Sequence, residues 1–381
     1  MIKILTVIGA RPQIIKASAL SRAISSNFNK EIKEIILHTG QHYDDAMSGA
    51  FFLEMDIPQP DYNLDIGSDT HGKQTARMIE GIEKIALLEK PAAMLVYGDT
   101  NSTLAAALTA SKLKIPLVHI EAGLRSFNKN MPEEINRIVC DHCSTLLFTP
   151  TLAGYNNLIR EGFNQDNESP FTVNHPGVFH CGDVMYDNTL YFSDVSETSS
   201  GILHKLGLDG KGFILLTIHR DTNTDIPERL NDILDTVNEI SLNKQIAVVF
   251  PMHPRTSASL DKANLPALKN IKDNALFKII PPVSFLEMIL LEKRCSMVLT
   301  DSGGVQKEAF FLHKPCIVLR SETEWIELLE CGNSILVDAD RSRIKEAYTY
   351  FLENKAIQYP LLYGDGNAAN FICLEIISNF K

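Results

Sequence analysis

Short runs of β-branched and aliphatic residues recur along the whole chain, each followed by a stretch with helical periodicity. This alternation limits the available folds more than any other feature. Lys3–Ile8, Glu34–His38, Ala93–Tyr97 and Leu117–Ile120 read as strands in the first half. Phe213–Ile218, Ile246–Phe250, Lys278–Ile280, Met297–Thr300 and Cys316–Leu319 read as strands in the second. Pro12–Ser25, Thr70–Leu87 and Ser102–Leu113 read as helices between them. Strands that are apolar throughout are buried on both faces, so an α/β fold is expected, with parallel sheets covered by helices on both sides.

At 381 residues the chain is too long for one core of usual size and suits two domains. Gln165-Asp166-Asn167-Glu168-Ser169-Pro170 is a polar loop and Asn174-His175-Pro176-Gly177 a turn, which places a boundary near residues 165–185. The domains are read as 1–175 and 176–363, with a last helix from Asn367 to Phe380 whose docking side is not legible. Glu133 to Leu147 has helical character.

The formal net charge of −11 argues against nonspecific binding to nucleic acid or to an acidic membrane. It does not argue against a phosphorylated small molecule, because Arg11, Lys16, His219, Arg220, His253 and Arg255 can make a pocket locally basic. The apolar run Ile4 to Ala10 is cut by Arg11 and Pro12, too short for a signal core or a membrane span, so it reads as a buried first strand. The seven cysteines are odd in number and scattered, the pattern of reduced thiols in a cytoplasmic protein. Cys140-Asp141-His142-Cys143 has no second ligand pair at suitable spacing, so these read as structural thiols rather than zinc ligands.

In open parallel sheets ligands bind beyond the carboxyl ends of strands. Gly9-Ala10-Arg11-Pro12 follows the first strand, with Lys16 one turn into the helix. Gly98-Asp99-Thr100-Asn101-Ser102-Thr103 follows Ala93–Tyr97, and Glu121-Ala122-Gly123-Leu124-Arg125 follows Leu117–Ile120. Pro132-Glu133-Glu134-Ile135-Asn136-Arg137 comes next. In the second half His219-Arg220, His253-Pro254-Arg255, Asp301-Ser302-Gly303-Gly304 and Arg320-Ser321-Glu322 occupy the equivalent places. Each is weak alone; Asp99 by itself reads more readily as a cap for the Ser102 helix. Together they give a carboxylate-rich first half and a second half of histidines, arginines and a phosphate-type turn. That combination suits a neutral reacting centre with a phosphate-ester leaving group.

Leu299 to Glu308 carries the most chemistry. It reads as a strand end, a Ser302-Gly303-Gly304 turn and a helix. Adjacent glycines at a helix start let backbone N–H groups approach an anion, and the helix dipole adds partial positive charge. Glu308 lies in the second turn, where it can accept hydrogen bonds from sugar hydroxyls. Diphosphate at the glycines and ribose at Glu308 is a nucleotide-sugar reading. The plainer reading is a loop that needed two glycines to turn. No G-x-x-x-x-G-K-[ST] loop is present. Gly364-Asp365-Gly366-Asn367-Ala368-Ala369 fits G-x-G-x-x-A but follows no clear strand and leaves no room for a βαβ unit.

With these motifs in this order, the chain resembles, essentially end to end, the non-hydrolysing UDP-N-acetylglucosamine 2-epimerase family. The residues that carry the resemblance are Gly9–Pro12, Gly98–Thr103, His119–Arg125, Pro132–Arg137, His219-Arg220, Thr300–Gly304 and Tyr363–Gly366. The resemblance implies a glycosyltransferase-B type fold, two Rossmann-like domains facing across a cleft, with the last helix (about 364–381) packing back on the first domain. It implies a homodimer, no cofactor or metal, a UDP-sugar substrate and a place in making cell-surface polysaccharide precursors. The implied reaction interconverts UDP-GlcNAc and UDP-ManNAc by eliminating UDP and adding it back, through a 2-acetamidoglucal. Carried over by motif, Asp99, Glu121 and Glu133 are acid/base candidates, and His219 supports the departing diphosphate. Arg11, Ser302, Gly303 and Gly304 hold phosphates, Glu308 the ribose, while Lys16 and Arg137 organise the carboxylates; Arg220 and His253 join the substrate-binding set. Gln41 and His42 match a segment where some members bind an activating second UDP-GlcNAc.

The resemblance also has departures. Many members carry His-Arg-Arg-Glu where this chain has His219-Arg220-Asp221-Thr222, and residues 41–48 differ from activator-dependent members. Ala10–Gln13 and Arg320–Trp325 look more like a subgroup that epimerises UDP-2,3-diacetamido-2,3-dideoxy-glucuronate, with Arg220, Asp221 and Arg320 the places for a uronate-binding difference. A hydrolysing epimerase, a retaining glycosyltransferase and a non-catalytic nucleotide-sugar regulator are the competing readings.

Overall fold

The apolar runs assemble into two wholly parallel sheets. The structure is a computed structural model and describes residues 1–40, 57–263, 265–354 and 356–381. In the first sheet β1 (Ile2–Ile8), β2 (Ile32–His38), β3 (Tyr62–Asn63), β4 (Ala93–Tyr97), β5 (Leu117–Ile120), β6 (Leu146–Thr149) and β7 (Gly177–His180) lie in the order β3-β2-β1-β4-β5-β6-β7. In the second, β8 (Phe213–Thr217), β9 (Ala247–Pro251), β10 (Phe277–Ile280), β11 (Met297–Thr300), β12 (Cys316–Val318) and β13 (Ser334–Leu336) lie in the order β10-β9-β8-β11-β12-β13. Both orders turn back on themselves after the first strand, between β1 and β4 and between β8 and β11. These are the topological switch points of doubly wound sheets, where a crevice opens beyond the strand carboxyl ends.

The strands that flank each switch point are buried throughout, which is why they read as unbroken apolar runs. Ala93, Met94, Leu95, Val96 and Tyr97 are 0% exposed, as are Phe213, Ile214, Leu215 and Leu216. Helices cover both faces. In the second unit Ile233, Leu234 and Val237 pack with Ile214, Leu216 and Leu299 on one side of the sheet. On the other, Leu290, Leu291 and Ala309 pack with Leu215 and Val298.

The chain divides into two compact units, Met1–Asn188 with Leu361–Lys381, and Thr189–Pro360. The first division falls at Asn188 rather than at residue 175. The reason is β7, which pairs in parallel with β6 from Leu146↔Gly177 to Thr149↔His180 and so completes the first sheet. The helical reading of Glu133 to Leu147 is also corrected. The helix Pro132–Cys143 stops at Ser144, which has extended backbone, and Leu146 and Leu147 begin β6.

The last helix, Ala368–Phe380, belongs to the first unit. Ile372, Cys373 and Ile376 are fully buried, and Phe371 sets its ring edge-on to Phe148 and Phe179. Each such buried aliphatic side chain is worth about 1.5–3 kcal/mol. Asp187 holds the start of this helix, accepting from the N–H groups of Ala368 at 3.2 Å and Ala369 at 2.8 Å. Burial raises the Asp187 carboxyl to about 6, against the lowering effect of those N–H groups. A carboxyl raised on folding binds its proton more tightly in the folded state. Its contribution to stability is therefore complete below the usual carboxylate range and is lost as pH rises towards 6. We expect the thermal midpoint of Asp187→Asn, relative to the unchanged protein, to be higher at about pH 7 than at about pH 4, as read by calorimetry. A difference that stays constant with pH would contradict the raised value.

Candidate active site

In the first unit the switch point is stitched together by Gln13, 1% exposed on the helix Arg11–Asn27. Its Oε1 accepts from the N–H groups of Gly9 (2.9 Å) and Ala10 (3.2 Å). Its Nε2 donates to the carbonyl of Tyr97 (2.8 Å) and to Thr103 Oγ1 (2.9 Å). One amide thus ties the end of β1 to the end of β4, and the residues that follow each strand keep a fixed separation.

Beyond those ends lie two carboxylates with cations of their own. Lys16 Nζ bonds Glu121 Oε2, and both side chains are largely buried. Burial alone lowers a lysine, but the pairing with Glu121 and the charges of Asp99 and Asp183 outweigh it and raise Lys16 above its ordinary value. Lys16 is therefore an ammonium ion. Glu121 has a φ of 74°, the left-handed region, which costs a non-glycine residue about 1–3 kcal/mol. A Cβ at Gly98 would lie 3.0 Å from Glu121 Oε2 and 3.4 Å from Lys16 Nζ, so the glycine leaves room for the pair.

Arg137 holds Asp99, with Nη2 and Nε at 2.7 and 3.0 Å from Oδ2, and its Nη1 reaches Glu134 at 2.7 Å. Asp99 does not cap the following helix; Thr100 does, accepting from Thr103 N–H. Asn136 donates to the Asp99 carbonyl at 2.9 Å. Glu134 is 1% exposed and accepts from the N–H groups of Ser126 and Phe127, each at 2.9 Å. Burial would raise its carboxyl, but these bonds and Arg137 bring it below the ordinary value. Its neighbour Glu133 is exposed on the same first turn.

A second buried network supports this ground from below. His119, 0% exposed, places Nδ1 2.7 Å from Asp141 Oδ1 and Nε2 2.9 Å from the carbonyl of Gly98. Both are acceptors, so both ring nitrogens carry protons and the ring is an imidazolium. Burial opposes this charge, but Cys140 and Asp141 overcome it and hold the pKa well above the ordinary value. Arg125 bonds the other Asp141 oxygen at 2.7 Å, and the N–H of Gly123 reaches it at 3.2 Å. The cluster fixes the carbonyl immediately before Asp99 and the turn immediately after Glu121.

In the second unit Asp301, 0% exposed at the end of β11, plays the organising part at the switch point. It accepts from His219 N–H at 3.0 and 3.1 Å, from Arg220 N–H at 3.0 Å and from Asn223 Nδ2 at 3.1 Å. His219 Nδ1 lies 3.3 Å from Asp301 Oδ1, and the His253 ring lies 5.6 Å from the His219 ring. Burial lowers the His219 pKa; Asp301 offsets part of this, and His253 and Arg220 lower it again. His219 is thus neutral at pH 7, with its proton on the nitrogen that faces Asp301 and a bare Nε2. His253 and Arg220 are exposed.

Ser302 caps the helix Gly303–Phe311, its hydroxyl accepting from Val305 N–H at 3.5 Å. Among the described residues a Cβ at Gly304 would find only Ser302 Oγ, at 3.9 Å, which leaves space at this residue, whereas a Cβ at Gly303 would meet Glu324 Oε1 at 2.2 Å, so a carboxylate lies against the first residue of the helix. Trp325 Nε1 donates to the Gly303 carbonyl at 2.9 Å. Arg320 pairs with Glu324 at 2.8 Å. Arg11 is exposed at the start of its helix. Gln41 and His42 lie outside the described residues.

A family model described as UDP-N-acetylglucosamine 2-epimerase matches residues 25–377. The chain belongs to the UDP-N-acetylglucosamine 2-epimerase family. Members are nucleotide-sugar isomerases, and the two Rossmann-like units are those of the glycosyltransferase-B class. Within the family the chain is 48% identical over 370 residues to the Pseudomonas aeruginosa UDP-2,3-diacetamido-2,3-dideoxy-D-glucuronate 2-epimerase, covering 97% of this chain and 98% of that protein. It is 47% identical over 379 residues to a UDP-N-acetylglucosamine 2-epimerase homolog of Methanococcus maripaludis, covering 99% of each. Among solved structures, the Methanocaldococcus jannaschii UDP-GlcNAc 2-epimerase in complex with UDP-GlcNAc and UDP superposes with a TM-score of 0.80 at 42% identity, covering 99% of this chain and 100% of that one. Among the described residues no helix is long and apolar enough to cross a membrane.

Gln13, His119, Asp141, Glu134 and Asp301 are the supporting residues that sequence reasoning did not assign. His119 and Asp301 stand inside motifs it singled out, directly beside a strand end, and that position was the available signal.

Proposed function

We propose that the chain epimerises C2 of a UDP-linked 2-acetamido sugar without hydrolysing it, taking UDP-N-acetylglucosamine to UDP-N-acetylmannosamine. The observation that supports this most is the pair of cation-held carboxylates, Asp99 with Arg137 and Glu121 with Lys16, beyond the switch point of the first sheet. A C2 proton beside an acetal carbon is not acidic, so its removal needs a simultaneous electron sink. A carboxylate takes the proton as the C1–O bond breaks and the bonding electrons leave with UDP, giving the 2-acetamidoglucal. UDP then adds back to C1 while a proton is delivered to the opposite face of C2. No redox change occurs overall. Asp99, Glu121 and Glu133 are the groups proposed to exchange the proton.

In the second unit Arg11's counterparts are His219, Ser302, Gly303 and Gly304, proposed to hold the diphosphate, with Glu308 accepting from the ribose. Arg11 itself is proposed as a phosphate ligand. Neutral His219 has a bare Nε2, so diphosphate binding recruits a proton to it before the leaving group can be protonated. The same reading includes a homodimer, which sedimentation would test.

The diacetamido-glucuronate sugar is a second reading. It is favoured by the 48% identical relative and by Arg220, whose exposed side chain has no carboxylate partner among the described residues. Arg320, by contrast, is engaged with Glu324.

Incubation in D₂O with each nucleotide sugar in parallel, followed by proton NMR, tests the proposal. The expected result is deuterium at C2 with a manno-configured product still attached to UDP, and the faster tube names the sugar. UDP accumulating in step with turnover would instead mark a hydrolysing enzyme. No exchange with either sugar would overturn the proposal.

A further inference from the structure

Behind the proposed ribose acceptor lies a second carboxyl that the mechanism does not use. Glu292, on the helix Phe285–Arg294, is 0% exposed, and neither of its oxygens makes a hydrogen bond of normal geometry among the described residues. The helix packs beside Gly303–Phe311, which carries Glu308. The polar group that acts on Glu292 is the Glu308 carboxyl, and no lysine or arginine pairs with Glu292 among the described residues. A buried carboxylate with no cation and no donor is expensive, and two facing carboxylates are more so.

We propose that Glu292 is a positioning residue for nucleotide recognition: it keeps one proton at neutral pH, donates it in a hydrogen bond to Glu308, and so holds Glu308 as an ionised acceptor for a ribose diol. The inference rests on the ribose reading of Glu308 given above.

The surroundings divide the roles this way. Burial drives Glu292 well above the ordinary carboxyl range, and the like charge of Glu308 drives it further. Burial also raises Glu308, but the neighbouring Glu292 carboxyl and the charge of Lys307 pull it part of the way back. Glu292 is therefore the acid of the pair and Glu308 the base. The other titratable groups nearby do not compete for this proton. Burial holds Cys295 up at about 12 and pushes Cys316, on β12, and Tyr359 higher still. Lys314 acts on Cys295, while Lys307 sets its ammonium 4.4 Å from the centroid of the Trp325 ring. On the same helix as Glu292, Lys293 and Arg294 are committed to Asp194 and Glu197.

The test compares UDP with 2′,3′-dideoxy-UDP by calorimetry, in the full chain and in Glu308→Gln, Glu292→Gln and Glu292→Met. The unchanged protein should prefer UDP by roughly tenfold or more, the range for hydrogen bonds to a charged acceptor. Glu308→Gln should lose most of this preference. Glu292→Gln, which keeps a neutral donor of the same shape, should stay within about threefold of the unchanged protein, whereas Glu292→Met should lose about fivefold or more. Affinity for the dideoxy nucleotide should be alike in all four. An unaltered preference in Glu292→Met overturns the positioning role.

A second readout reports the proton itself. Because the Glu292 carboxyl is raised on folding, its stabilising share falls as pH rises above the ordinary carboxyl range. The thermal midpoint of Glu292→Gln relative to the unchanged protein should therefore climb between about pH 5.5 and about pH 8.5. A constant difference overturns the shared proton, and this readout stands even where Glu292→Met fails to fold. No preference for UDP in the unchanged protein overturns the ribose reading of Glu308 and the positioning role with it, leaving the shared proton to be judged by the midpoints alone. A preference that Glu308→Gln abolishes and Glu292→Met leaves intact overturns only the part given to Glu292.

Discussion

Replacing Asp99, Glu121 or Glu133 by its amide is expected to lower turnover by roughly a hundredfold or more, the range for general acid/base groups, while UDP still binds. The three substitutions separate in their effect on stability. Glu121→Gln leaves the Lys16 ammonium largely buried with its ion pair broken, a change that costs about 3–5 kcal/mol in well-buried pairs. Asp99→Asn removes one of the two carboxylates on Arg137, and Glu134 still holds the guanidinium. Glu133 is exposed, so its substitution should leave the melting temperature almost unchanged. A loss of turnover at Glu133 with no loss of stability is therefore the cleanest sign of a direct part in proton transfer. Normal turnover in all three variants would end the proposed mechanism.

Asp301→Ala is expected to be the most damaging single change in the second unit. The carboxylate satisfies the N–H groups of His219 and Arg220 and the Asn223 amide, all at one buried point. Asn223 keeps its bond to the Leu319 carbonyl at 2.8 Å, but the two N–H groups lose their acceptor at about 1–3 kcal/mol each, so a loss of about 2–6 kcal/mol is expected. Asp301→Asn should cost less, because its carbonyl oxygen still accepts, but its amide N–H₂ then faces donors. Both should release the His219 ring from its partner at 3.3 Å. Chemical denaturation gives the first effect and turnover of the folded fraction the second. A folded, fully active Asp301→Ala protein would contradict the organising role assigned to this residue.

The legible parts of the fold are those in which one local signal dominates. The central strands β4, β5, β8 and β11 are buried on both faces and read as unbroken apolar runs. The edge strands do not. β7 is Gly177-Val178-Phe179-His180, half exposed and next to a turn, and β13 is only Ser334–Leu336. Leu146 and Leu147 continue the apolar spacing of the preceding helix, and only the extended backbone at Ser144 separates the two elements. The positions of the candidate residues at strand ends were legible because the topology of parallel sheets says where ligands bind. Their supports were not, because the partners are far apart in sequence. Gln13 meets Tyr97 and Thr103, His119 meets Asp141, and Asp301 meets His219. Glu292 sits in Leu290-Leu291-Glu292-Lys293-Arg294, where it reads as the first of a solvated charge run. Only the packing of the neighbouring helix shows that it is enclosed.

The return of Leu361–Lys381 to the first unit sets an order on synthesis. Residues 189–360 form a complete unit with their own sheet, so a growing chain can finish it as soon as those residues have emerged. The unit that began first must wait, because Ile372, Cys373 and Ile376 are part of its interior and Asp187 has no helix start to hold until Ala368 and Ala369 arrive. The carboxylates proposed to move the proton precede residues 189–360 in the chain, yet the unit that carries them is completed only by residues that follow 360. A nascent chain can therefore finish the unit proposed to bind the nucleotide before it finishes the unit proposed to carry the chemistry.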